Sequence, residues 1–248
     1  GIPREAKYVC LIVRDSAYLN QIYGKSNNHH NFRDSDIQNY ILAAETLAER
    51  GFFVIRMGAK VHAAINSAHP KVIDYATNGM RSDFMDIYLG AKCAFFIATG
   101  TGWDSVPSWL FRKPGIFVSL VPLGYIVTFS NKIILTTKKH CCHSDRHELS
   151  LSEIFTQSLG FCMHTSDYES KGVDLIENTP EEIRDVAIEM AERLAGTWQA
   201  HPDDEALQQR FWEIFPTDAV NANGVPFHGE IRSRYGTKFL RKHKEWLS

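Results

Sequence analysis

The chain has 248 residues, 44% of them hydrophobic, and 27 basic against 29 acidic residues give a net charge of -2. That is enough apolar material for one large α/β domain, and the balanced charge excludes binding to a nucleic-acid backbone or an acidic surface through net charge, so any field must be local. No run approaches the roughly twenty apolar residues of a membrane span, and the odd count of five cysteines, two of them in apolar strand-like runs, suggests reduced thiols and a cytoplasmic setting.

Residues 8–13 read as a buried strand ending at Arg14-Asp15. Residues 16–35 follow as a long polar insertion rich in Asn and His, read as a functional or mobile loop. Asp36 then caps a helix in which Ile37, Tyr40, Ile41, Ala44 and Leu47 recur at helical spacing until Gly51, and residues 52–55 form a second strand leading into Arg56-Met57-Gly58. The pattern repeats. Ser82 caps a short helix carrying Phe84, Ile87, Tyr88 and Ala91, residues 94–98 are a strand, a third helix starts near Asp104 and ends before Lys113-Pro114, and residues 115–120 are the next strand.

Further on, residues 133–135 read as a short strand, 138–147 as a polar loop, 149–159 as a helix and 172–176 as one more strand. A helix starts at Thr179-Pro180-Glu181-Glu182 with the pattern of a capping box, Asn178 and Thr179 being its capping residues, and runs to Gly196. Two last helices span about 203–214 and 229–242, so that residues 1–248 make one Rossmann-like domain with helices from about 200 onward. Alternating strands and helices at this spacing give a parallel sheet flanked by helices. Ligands of such sheets sit at the carboxyl ends of strands, here Arg14-Asp15, Arg56–Gly58 and Thr99–Gly102.

The run from Ala94 to Pro107 carries the clearest chemistry, an apolar strand passing through Thr99-Gly100-Thr101-Gly102 into a helix start at Asp104-Ser105. Such a turn lets backbone N–H groups and the positive end of a helix dipole face an anion, or it merely makes a tight corner. It is neither a Walker A loop nor a dinucleotide fingerprint. Arg14, Arg33, Arg56 and Arg81 can grip phosphates bidentately or form structural ion pairs with Asp15, Asp34 or Asp83; Arg14 and Arg56 converge best on the sheet edge. Asp34, Asp36 and Asp86 are candidates for sugar hydroxyls, ribose or a base edge, although capping alone explains Asp36.

Eleven histidines invite a metal, yet adjacent cysteines in His140-Cys141-Cys142-His143 point apart and lack zinc spacing, so no metal is expected. His29 and His30 can serve acid–base or sugar contacts, His228 and Glu230 can reach toward a cleft, and Trp103, Trp109 and Trp212 can cover a sugar face or belong to the core.

Six phrases, at residues 33–40, 51–58, 81–88, 99–102, 104–107 and 177–183, followed by His228–Arg232 and Phe239–Arg241, resemble a family of bacterial glycosyltransferases of surface-carbohydrate synthesis. That family is similar in layout to the donor-binding half of GT-B enzymes and more distantly to the fucosyltransferase-like group. The resemblance covers nearly the whole chain. It implies a nucleotide-sugar as substrate with no bound cofactor; the donor and its phosphates would then meet Arg14, Arg33, Asp34, Arg56, Gly58, Arg81, Asp86, Thr99, Gly100, Thr101, Gly102, Asp104 and Ser105, with Glu177 where such enzymes grip ribose. It implies a glycan or glycolipid acceptor, an N-terminal acceptor domain absent from this chain, and work in the cytoplasm at the inner face of the membrane; no catalytic base is assigned. The alternatives are a nucleotide- or anion-binding module without chemistry and another nucleotide-sugar-modifying enzyme.

Overall fold

The computed structural model describes residues 2–23 and 28–248; Gly1 and residues 24–27 of the polar insertion lie outside the described residues. Strands β1 (Tyr8–Ile12), β2 (Phe53–Arg56), β3 (Val72–Asp74), β4 (Phe95–Ala98), β5 (Gly115–Leu120) and β6 (Ile133–Thr137) belong to one sheet, β7 (Lys139–Cys142) and β8 (Val173–Ile176) form a separate antiparallel pair, and β9 (Arg234–Tyr235) returns to the first sheet. The seven strands run in the order β3-β2-β1-β4-β5-β6-β9, all parallel. This is a Rossmann-like α/β fold. The chain winds outward from β1 to β3, then restarts at β4 beside β1 and winds the other way, which makes the β1/β4 boundary a topological switch point.

Both faces of the sheet are covered, so its strands are apolar throughout rather than alternating with polar residues. Val9, Leu11, Val54, Phe95, Ile97 and Ile116 pack on one side against α2 (Ile41–Glu49) and α6 (Pro180–Ala195). Cys10, Ile12, Ile55, Phe96 and Phe117 face the other way. They meet Leu89 of α3 (Asp83–Lys92), Ile154 of α4 (Leu151–Thr156), Phe211 of α7 (Asp204–Ile214) and Leu240 of α8 (Thr237–Lys242).

Several expectations are corrected. Within the polar insertion, residues 17–23 form helix α1 (Ala17–Tyr23) and Asn28–Arg33 a 3-10 turn. The helix near Asp104 shrinks to a single π-type turn, Val106–Leu110. Residues 139–142 of the supposed polar loop are strand β7, whose partner β8 thereby leaves the main sheet. The last helix starts only at Thr237, because Arg234 and Tyr235 pair with β6 and Gly236 lies against it, where an added Cβ would be 2.9 Å from Thr136 Cγ2.

Asn178 is not the cap of α6. Thr179 fills that role, accepting from the Glu182 amide at 3.3 Å, with Glu182 returning the bond at 2.9 Å. Asn178 is 1% exposed and joins three elements. Strand β5 has a register shift between Phe117 and Leu120, where Ser119 adopts φ +51°, a left-handed conformation that costs a non-glycine residue about 1 kcal/mol or more. Asn178 Oδ1 accepts from the Ser119 amide (3.0 Å) and Thr136 Oγ1 (2.7 Å), and its Nδ2 donates to the Thr137 carbonyl (3.1 Å). Removing this amide strands several buried polar groups at once. Asn178→Ala is therefore expected to lower stability by at least about 2 kcal/mol, against about 1 kcal/mol for loss of the cap in Thr179→Ala; urea unfolding of both variants checks the difference.

Candidate functional site

A cleft of about 490 Å³ opens at the switch point. Its floor is the carboxyl end of β1, Ile12 to Asp15, and its walls come from Gly58–Val61 after β2, Arg81 and Asp86 at the start of α3, Thr101–Trp103 after β4, and Tyr18 and Leu19 of α1. A second, shallower depression of about 320 Å³ lies across Val13 and Asp15, which border both. It is lined by Asp34, Asp36, Arg56, His62 and Glu177.

The β1 end is fixed from both sides. The Arg14 amide donates to Thr99 Oγ1 at 2.8 Å and its carbonyl accepts from the Ser35 amide at 3.0 Å. Asp15 accepts from the amides of Ala17 and His62, both at 2.9 Å, and so ties α1 to the segment after β2. Arg14 Nε stands 3.3 Å from Asp34, and burial raises the Asp34 carboxyl above its ordinary range although Arg14 opposes this. Arg81 bridges Asp83 (2.9 Å) and Asp86 (2.7 Å), and the Asp86 carbonyl holds Trp103 Nε1 at 3.1 Å.

The Gly-rich turn is built differently from a helix-dipole anion seat. Gly100 sits at φ +77°, and a Cβ there would come within 2.8 Å of Leu120 Cδ1, so the position requires glycine. Arg33 Nη2 donates to the Gly100 carbonyl at 2.5 Å. Burial and the neighbouring Arg14 lower the affinity of Arg33 for its proton. The Thr101 amide, a candidate phosphate donor, is already taken by the Asp104 carboxylate, which burial pushes up to about 6 against the pull of that bond. Gly102 is exposed with open space around it, and Ser105 is exposed ahead of a helical turn too short to present a dipole.

Of the sequence candidates, Arg14, Gly58, Arg81, Asp86, Thr101 and Gly102 thus meet in the cleft, and Asp34, Arg56 and Glu177 in the neighbouring depression. Arg33, Thr99, Gly100 and Asp104 form the framework between them. Arg56 is 1% exposed and bound to Asp74 (3.3 Å) and the Ala63 carbonyl (3.1 Å). Glu177 accepts from the Asp36 amide at 3.1 Å and from Asn39 Nδ2 at 3.2 Å, and Asp36 accepts from the Gln38 amide as a cap. His228 is buried between Thr128 and the Gly124 carbonyl, and Glu230 pairs with Arg232. Trp103 borders the cleft, whereas Trp109 packs on Phe129 and Trp212 on the core.

His29 and His30 lie beside His164, with ring centroids 4.2 to 5.8 Å apart. His140 is fully buried beside Tyr168, and His143 turns to Asp174 at 2.9 Å. Among the described residues no three His, Cys, Asp or Glu side chains stand together as metal ligands.

Three contributors escaped the sequence reading. Lys60 and Tyr18 line the cleft; Lys60 makes no ion pair among the described residues, and its place two residues beyond Gly58 at a strand end was the signal for it. Lys138, 5% exposed at the end of β6, donates to the Asp34 carbonyl at 2.5 Å, and burial lowers its pKa. Comparison with family models, curated proteins and solved structures finds no match.

Two outcomes follow from these placements. Arg56→Ala leaves the Asp74 carboxylate without its cation, with the Ile65 amide still donating to it, and is expected to lower stability by about 3 kcal/mol, seen as a drop in melting temperature. Burial holds His140 down at about 4, below its ordinary 6.5, so the unfolded chain binds that proton more readily and this contribution to stability is lost as pH falls through that window. Asp104 acts in the opposite sense between its ordinary 3.8 and about 6, where the folded state holds the extra proton. His140→Phe should therefore make the melting temperature less acid-sensitive between about pH 6.5 and 4, and a scan of melting temperature against pH reads the change.

Proposed function

We propose that this chain is the nucleotide-sugar-binding domain of a glycosyltransferase that transfers a sugar to a surface glycan or glycolipid. The observation that carries the reading is the cleft at the β1/β4 switch point, lined by the cations Arg14, Lys60 and Arg81. In open α/β sheets this crevice is where nucleotides bind, and about 490 Å³ is in the range of a small-molecule site. The resemblance of the sequence phrases to surface-carbohydrate glycosyltransferases points the same way.

In this reading the diphosphate lies over the Gly58 and Gly102 backbone. Lys60 meets it directly, and Arg14 and Arg81 turn toward it from their carboxylate partners. Glycosyl transfer leaves negative charge on the departing diphosphate, and positioned guanidinium and ammonium groups favour that charge more in the transition state than in the ground state. Tyr18 and Trp103 offer ring faces for a base or a sugar. Asp86, held by Arg81, is placed to accept from sugar or ribose hydroxyls once Arg81 engages phosphate. The acceptor approaches from the open side of the cleft, presented by another domain or chain. The five cysteines are all free thiols, in keeping with a cytoplasmic location.

Calorimetric titration with nucleoside diphosphates and their sugars, with and without a chelator, tests this. Lys60→Ala and Arg81→Ala should each weaken binding by about tenfold or more while leaving the melting temperature of the unliganded protein nearly unchanged. Unaltered affinity in both variants sinks the reading. Donor binding with neither hydrolysis nor transfer on addition of acceptor would instead favour a binding module.

A further inference from the structure

Helix α3 carries its apolar stripe on the wrong side for a core helix. Phe84, Ile87 and Tyr88 recur at helical spacing, yet they are 73%, 43% and 45% exposed, while Leu89 and Gly90 face inward. The turn Val106–Leu110 lies alongside: a Cβ on Gly90 would be 3.0 Å from Val106 Cγ1 and 3.4 Å from Pro107 Cδ. That turn ends in Trp109, Leu110 and Phe111, 61%, 69% and 44% exposed. Helix and turn together present an apolar surface of a kind that soluble proteins keep for partners.

Charge decides which partner. Arg112 and Lys113 follow the turn directly and Lys92 closes the adjoining end of α3; none of the three makes an ion pair or a side-chain hydrogen bond among the described residues. The carboxylates of α3, Asp83 and Asp86, are both engaged by Arg81 at the opposite end. Protruding aromatic and aliphatic side chains beside unpaired cations match a layer with a fluid apolar interior and anionic headgroups, which needs no complementary groove.

We propose that this face docks on an anionic lipid surface. Phe84, Ile87, Tyr88, Trp109, Leu110 and Phe111 enter the headgroup layer, and Lys92, Arg112 and Lys113 pair with lipid phosphates. The inference stands apart from the nucleotide reading, since none of these residues lines the cleft.

Flotation of the full chain with vesicles tests it, comparing phosphatidylcholine alone with vesicles containing about a third phosphatidylglycerol. Binding should require the anionic lipid and weaken with salt. Replacing Lys92, Arg112 and Lys113 together by Ala should lower partitioning about a hundredfold. Phe84→Glu with Leu110→Glu should abolish it, and because both side chains are exposed the melting temperature serves as the control for folding. No flotation with either vesicle, or equal flotation of the wild type and both variants, overturns the proposal. So does self-association abolished by Phe84→Glu in a protein that ignores vesicles, which would assign the face to a second copy.

Discussion

One buried amide holds the frame of this molecule together. Strand β5 cannot continue regular pairing through Ser119, and the polar groups released there would be costly in an apolar interior. Asn178 supplies partners for them from the start of α6, and thereby fixes where that helix begins. Helix α6 then lies on α2 through Ile183, Val186 and Ala187 against Ala44 and Leu47. Since α2 is the crossover from β1 to β2, a polar repair at β5 sets the covering of one whole face, and with it the level at which β1, β2 and β4 end.

At that level the electrostatics are governed by depth. Arg56 and Arg81 offer the same guanidinium from different places, Arg56 at the end of β2 and Arg81 just ahead of the Ser82 cap of α3. Arg56 is enclosed by Asp74 and Ala63, so its charge is committed to the fold, whereas Arg81 is 31% exposed at the side chain and shared between two carboxylates. An incoming anion exchanges partners with the second kind of arginine at modest cost but would have to tear the first out of the interior. In the cleft Arg14 is thus pre-paired with Asp34 and Arg81 with Asp86, whereas Lys60 makes no ion pair among the described residues.

The sequence made legible what local physics decides. Apolar runs without polar alternation marked β1, β2, β4 and β5, and the Ser82 and Thr179 caps marked their helices, because capping chemistry is contained in four consecutive residues. Where the decision is tertiary, reading failed. Strand β3 is three residues long and has no period to read, and β7 is polar in sequence yet paired by β8 more than thirty residues later. The stripe on α3 gave the helix correctly but not its direction, since periodicity identifies a face without saying what covers it. The Gly-rich turn was legible as a turn, and the capture of the Thr101 amide by Asp104 three residues later is local chemistry of the same kind as the Glu182 return bond.

The two ends of the seven-stranded sheet carry a last consequence. An open parallel sheet exposes a row of unsatisfied donors and acceptors along each border, and any extended peptide could add to it. Here the borders are β3, three residues, and β9, two residues. Each offers too few groups for a foreign strand to find a register, so the sheet terminates itself and gives little template for runaway edge-to-edge aggregation.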